Sequence, residues 1–78
     1  MKVTDFVRTT VQMLSGEEPD ITAIPDSDGM VITVIAKGNI PAVIGRQGKT
    51  IDAIRVVAKA IGVDDTKSHK IKVVVSGS

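Results

Sequence analysis

The sequence predicts an α+β fold: a three-stranded mixed sheet with three helices on one face, in the order α-β-β-α-α-β. Three observations carry this. An apolar stripe at helical spacing opens the chain, and two β-branched runs separated by Pro25-Asp26-Ser27-Asp28-Gly29 follow it. Two further helical runs then meet at a glycine-containing octet before a last alternating run. With 78 residues and 42% hydrophobic content, residues 1–78 are expected to form one domain around one core, at a size where burial is only just sufficient.

Val3, Phe6, Val7, Thr10, Val11 and Leu14 recur at i, i+3, i+4, i+7, i+8 and i+11, the pattern of an amphipathic helix, and Ser15-Gly16 ends it with a glycine suited to a left-handed C′ position. Phe6, the single aromatic residue, lies mid-stripe and is assigned to the core. After the acidic link Glu17-Glu18-Pro19-Asp20, Ile21 to Ile24 reads as a short strand and Met30 to Ala36 as a longer one, joined as a hairpin by turn-forming residues. Asp26, Asp28 and Gly29 resemble the start of a calcium loop, but the position of its bidentate glutamate falls on Lys37, which removes that reading.

Lys37-Gly38-Asn39 breaks the strand, Asn39 can cap a helix, and Pro41 suits a first turn because its missing N–H needs no partner there. Ile40, Val43 and Ile44 are the apolar positions of a helix of one to two turns. Beyond the octet, Ile51, Ile54, Val57, Ala58 and Ile61 repeat at helical spacing until Gly62, the expected stop. Residues 63–69 read as a polar loop, and Lys70 to Ser76 as a strand with Ile71, Val73 and Val75 on one face. A helical crossover between the last two strands makes them parallel if they are neighbours.

Several function classes drop out. There is no cysteine, so disulfides and thiolate metal sites are excluded. No apolar run approaches the roughly 20 residues that span a bilayer, and the first residues lack a signal-peptide pattern, so a cytoplasmic location without membrane contact is expected. His69 is the sole histidine, and Asp64-Asp65 falls in the expected loop without an identifiable partner. No catalytic residue, metal or cofactor is therefore expected, and the protein is not read as an enzyme.

The net charge of +1 conceals an uneven distribution. Residues 1–36 hold two basic and six acidic side chains, a net of −4, whereas residues 37–59 hold five basic side chains against Asp52, a net of +4. The basic block surrounds Ile44-Gly45-Arg46-Gln47-Gly48-Lys49-Thr50-Ile51, where two glycines three apart let backbone amides approach an anion and Arg46 and Lys49 supply charge. A nucleotide-binding P-loop is a poor match despite Gly48-Lys49-Thr50, because its first glycine would be residue 43, which is valine. A plain corner between helices remains open, although it requires neither Arg46 nor Lys49.

The octet resembles the I-G-x-x-G-x-x-I signature of KH domains, in which a G-x-x-G loop between two helices clamps about four single-stranded nucleotides. The element order resembles the type II KH domain, and from first helix to last strand the chain is similar to small stand-alone bacterial KH proteins of the KhpA type. The resemblance implies single-stranded RNA binding without chemistry, as a small RNA chaperone or post-transcriptional regulator. It makes Gly45 and Gly48 the loop hinges, Arg46 and Gln47 the pair against the sugar-phosphate, and Ile44 and Ile51 the flanks facing core and groove. Lys49, at the start of the following helix, is placed to pair with phosphate, and Arg55 and Lys59 at i, i+4 share one helix face, where they either extend the charged track or are solvated surface charges.

Aromatic stacking, on which other single-strand binders rely, is unavailable with Phe6 alone; the resemblance implies an aliphatic groove floor, for which Ile32, Val34, Ile40, Val43 and Ile54 are candidates, with burial in the core the favoured alternative for each one. One such module contacts few phosphates and binds weakly, which favours linkage to a second module. The resemblance accordingly implies a homodimer, or a heterodimer with a larger KH-containing RNA-binding protein. Val74, beside Lys70 and Lys72 on the outer face of the last strand, would suit a partly apolar contact. The rival reading is a KH fold kept for dimerisation or docking, its RNA contact incidental.

Overall fold

In the computed structural model the described residues are 2–25, 27, 29–66 and 70–77; Asp26 and Asp28 of the expected turn, and His69, lie outside them. Helix α1 spans Val3–Ser15, strands β1 and β2 span Asp20–Pro25 and Gly29–Ala36, and α2 is a five-residue turn of helix, Ile40–Ile44. A 3₁₀ turn at Arg46–Gly48 leads into helix α3, Lys49–Thr66, and strand β3, Lys70–Gly77, closes the order. The sheet is mixed, in the order β1-β2-β3, with β1 antiparallel and β3 parallel to the central β2.

The alternation read from sequence decides which face of the sheet is covered. Ile32, Val34 and Ala36 of β2 and Val73 of β3 are buried against the helices, and the register sets Ile32 beside Val73 and Val34 beside Val75. On α1 the wholly buried positions are Val3, Val7 and Val11, while Phe6 and Leu14 are partly buried at the edge of the core. The helix ends as expected, with Gly16 at φ +88° and its amide on the Gln12 carbonyl at 2.9 Å.

Three expectations need correction. The layer of three helices reduces to two full helices of 13 and 18 residues plus the short α2, because Asn39 and Pro41 start α2 and Gly45 ends it within five residues. Helix α3 does not stop at Gly62. That glycine is buried inside the helix, where an added Cβ would lie 2.7 Å from the Ile71 Cδ1, so it admits β3 rather than ending α3, and Asp64 and Asp65 fall in the helix's last turn instead of a loop. Val57 is 44% exposed, since only Ile51, Ile54 and Ala58 of its run turn fully inward. No helix among the described residues is long and apolar enough to cross a membrane.

Candidate nucleic-acid interface

The segment from Gly38 to Thr50 is shaped by a few backbone positions. Asn39 Oδ1 accepts the Ala42 amide at 3.3 Å, and Pro41 occupies the first turn, so α2 starts with a side-chain cap. The Gly45 amide donates to the Pro41 carbonyl at 2.8 Å and ends the turn. Gly45 itself has φ +77° and ψ 173°, a region that is essentially glycine-only, and an added Cβ would lie 2.6 Å from the Thr50 Cβ and 2.8 Å from its amide nitrogen. Thr50 therefore closes against the loop's first glycine.

The next three residues form the loop tip. Arg46 and Gln47 are exposed, and Gln47 is the one non-glycine at positive φ among the described residues (φ 57°, ψ 27°). Gly48 follows at φ +75°, its amide donating to the Gly45 carbonyl at 3.2 Å, and the Lys49 amide turns back to the Arg46 carbonyl. A helical Arg46 followed by a left-handed Gln47 makes the αR-αL pair that gathers successive amides into a concavity suited to an anion. The Arg46 and Gln47 amides have no acceptor among the described residues. Lys49, exposed at the first position of α3, adds its charge beside them.

Ile44 and Ile51, the flanks of the octet, behave differently. Ile44 is half-buried beside the loop, whereas Ile51 is 4% exposed and belongs to the core. The candidates for an aliphatic groove floor divide between core and surface. Ile32, Val34, Val43 and Ile54 are all buried core, leaving Ile40 and Ile44 as the aliphatic side chains near the loop with partly open surface.

Arg55 lies apart from the loop tip. Its Nη1 donates to Asp52 Oδ1 at 2.9 Å, and its Nε donates to the Val73 carbonyl of β3 at 3.1 Å. The guanidinium ties α3 to the last strand. Arg55→Ala is expected to cost about 1 kcal/mol, since the pair is half-exposed and the released carbonyl can find water, and to lower the melting temperature by roughly 4 to 8 °C. A melting curve overlaying wild type would show that the tie carries no stability.

A family model described as the KH domain of KhpA/KhpB matches residues 4–75. The chain belongs to this family. No curated protein and no solved structure matches it. The match takes in all three strands up to Val75 and both long helices, so the glycine loop sits inside a whole KH domain rather than in an isolated motif. KH domains are an RNA-binding fold, and membership of the KhpA/KhpB family points to RNA as the ligand and to a KhpB-type partner. Thr50 carried no assigned role in the sequence reading. The contact that gives it one lies five residues away across the loop, where neither helical nor strand periodicity can reveal it.

Proposed function

We infer that the domain binds single-stranded RNA through the Gly45–Gly48 loop, without catalysis, and acts as a small RNA chaperone or post-transcriptional regulator together with a partner RNA-binding protein. The observation that carries the reading is the pair of unengaged amides at Arg46 and Gln47, held in an anion-receiving bend between two basic side chains inside a KH domain. One phosphate sits on these amides with Arg46 and Lys49 beside it. Ile44 lies against the neighbouring sugar or base, Gly45, Gly48 and Ile51 hold the shape, and Arg55 fixes the helix that carries the site.

The test is fluorescence anisotropy of a labelled single-stranded RNA pool with wild type and an Arg46→Asp, Gln47→Asp variant, after circular dichroism has established equal folding. Losing a charge-assisted contact at a phosphate and facing it with two carboxylates should weaken binding by at least about tenfold. Equal binding by both proteins would reduce the loop to a structural corner.

A second reading, the interaction module, is favoured by the outer face of α3. Ala53, Val56, Val57 and Ala60 stand at i, i+3, i+4 and i+7, all exposed, with Val56 70% exposed. A helix face of this kind suits self-association or pairing with a KhpB-type partner, and it is compatible with RNA binding at the loop. Added salt separates the two contacts, because phosphate binding falls steeply with ionic strength and an aliphatic interface hardly responds.

A further inference from the structure

We propose that Gly38 is a positioning residue for the RNA-binding loop, acting through a seat that the end of α1 forms for the start of α2; this rests on the RNA reading above. Helix α2 has five residues, too few to hold a direction by their own hydrogen bonds, so its contacts aim it and the loop it carries. Along its length these are Val43, wholly buried in the core, and Ile40, whose Cδ1 would lie 2.6 Å from a Cβ on Gly77 of β3. At its start the contact is with α1. The Ser15 carbonyl accepts the Asn39 amide at 3.0 Å, and the Gly38 carbonyl accepts the Ile40 amide at 3.0 Å.

The seat has no slack at Gly38. Its φ is +75°, and an added Cβ would lie 2.5 Å from the Ser15 carbonyl oxygen, the atom that holds Asn39, and 2.9 Å from Glu17 Oε2. The glutamate can swing away. The carbonyl is fixed, because Ser15 is buried and its Oγ donates to the Glu17 carbonyl at 2.9 Å and accepts the Glu17 amide at 3.3 Å. A side chain at position 38 must therefore push the start of α2 off α1, and Gly45 follows only about 9 Å further along the axis, about six residues at about 1.5 Å each. The shift reaches the Arg46 and Gln47 amides through the Gly45 amide, which is bonded to the Pro41 carbonyl at 2.8 Å. Gly16, next to Ser15, differs: its φ is +88°, but a Cβ there meets nothing within 4 Å. Gly16→Ala thus carries the left-handed backbone cost without the contact.

Gly38→Ala, Gly16→Ala and the Arg46→Asp, Gln47→Asp variant are compared with wild type by anisotropy of the labelled RNA pool, at a temperature where circular dichroism shows each fully folded, and by amide nitrogen–proton spectra. Gly38→Ala should weaken binding about tenfold, as for the loss of one charge-assisted contact, and shift the Arg46, Gln47 and Gly48 amide resonances. Gly16→Ala should melt lower yet bind like wild type with those resonances in place. Wild-type affinity in Gly38→Ala, or an equal loss in Gly16→Ala, with binding abolished in the loop variant, overturns the seat and leaves the loop reading standing. If the loop variant binds like wild type, the loop reading fails and the seat fails with it. Should Gly38→Ala not fold, Ser15→Ala is read in its place, since it removes only the hydroxyl that fixes the turn. A loss of about threefold then supports the seat, and wild-type affinity overturns it.

Discussion

Gly45→Ala is expected to destabilise the domain by about 4 kcal/mol and Gly48→Ala by only about 1 kcal/mol, although the two glycines are equivalent letters of one motif. Both have positive φ, +77° and +75°, but their surroundings differ. A Cβ on residue 45 would press on the Cβ and amide nitrogen of Thr50, atoms of the first turn of α3 that cannot move without moving the helix. A Cβ on residue 48 meets nothing closer than the Ile51 Cγ2 at 4.0 Å, which leaves the left-handed backbone as its main cost. For a domain of this size the first change corresponds to a melting-temperature loss on the order of 20 °C. Urea titration of the two variants decides the matter: equal losses would mean that backbone conformation alone, not the Thr50 contact, sets the requirement.

Ile32→Ala is expected to cost about 4 kcal/mol, and Phe6→Ala about half of that. Ile32 sits on the central strand, is 0% exposed, and has β1 on one side and β3 on the other, so its removal leaves a cavity that no single element can collapse to fill. Phe6 is larger, but it lies at the edge of the core with part of its ring in solvent, where water replaces lost contacts. Denaturant midpoints for both variants, at unchanged m-value, give the comparison. The reverse order would place the anchor of the core at the aromatic ring rather than on the central strand.

These two cases also mark what the sequence could and could not reveal. The hairpin, the parallel return of β3 and the burial of Val7, Val11, Ile54 and Ala58 follow from alternation and helical spacing, since those patterns are themselves the consequence of one face turning inward. The loop was legible because glycine pairs are scarce at such spacing and the basic residues cluster around them. What was not legible depended on atoms far apart in the chain. Phe6 and Val57 fit the stripe of their helices, yet Phe6 is only partly buried and Val57 is exposed. Gly62 carries the letter of a helix stop, but its function comes from Ile71 across the gap. Arg55 reads as one more cation of the basic block until Val73 and Asp52 are seen to hold it.

The hydrogen bond from Arg55 to Val73 has a further consequence for the molecule in a crowded solution. Strand β3 ends the sheet, and an edge strand with open carbonyls is a template on which another extended chain can grow. A guanidinium on the Val73 carbonyl and the lysines at positions 70 and 72 interrupt that template. Pairing one copy's edge strand with the next would bring these positive charges together, which disfavours growth of a shared sheet.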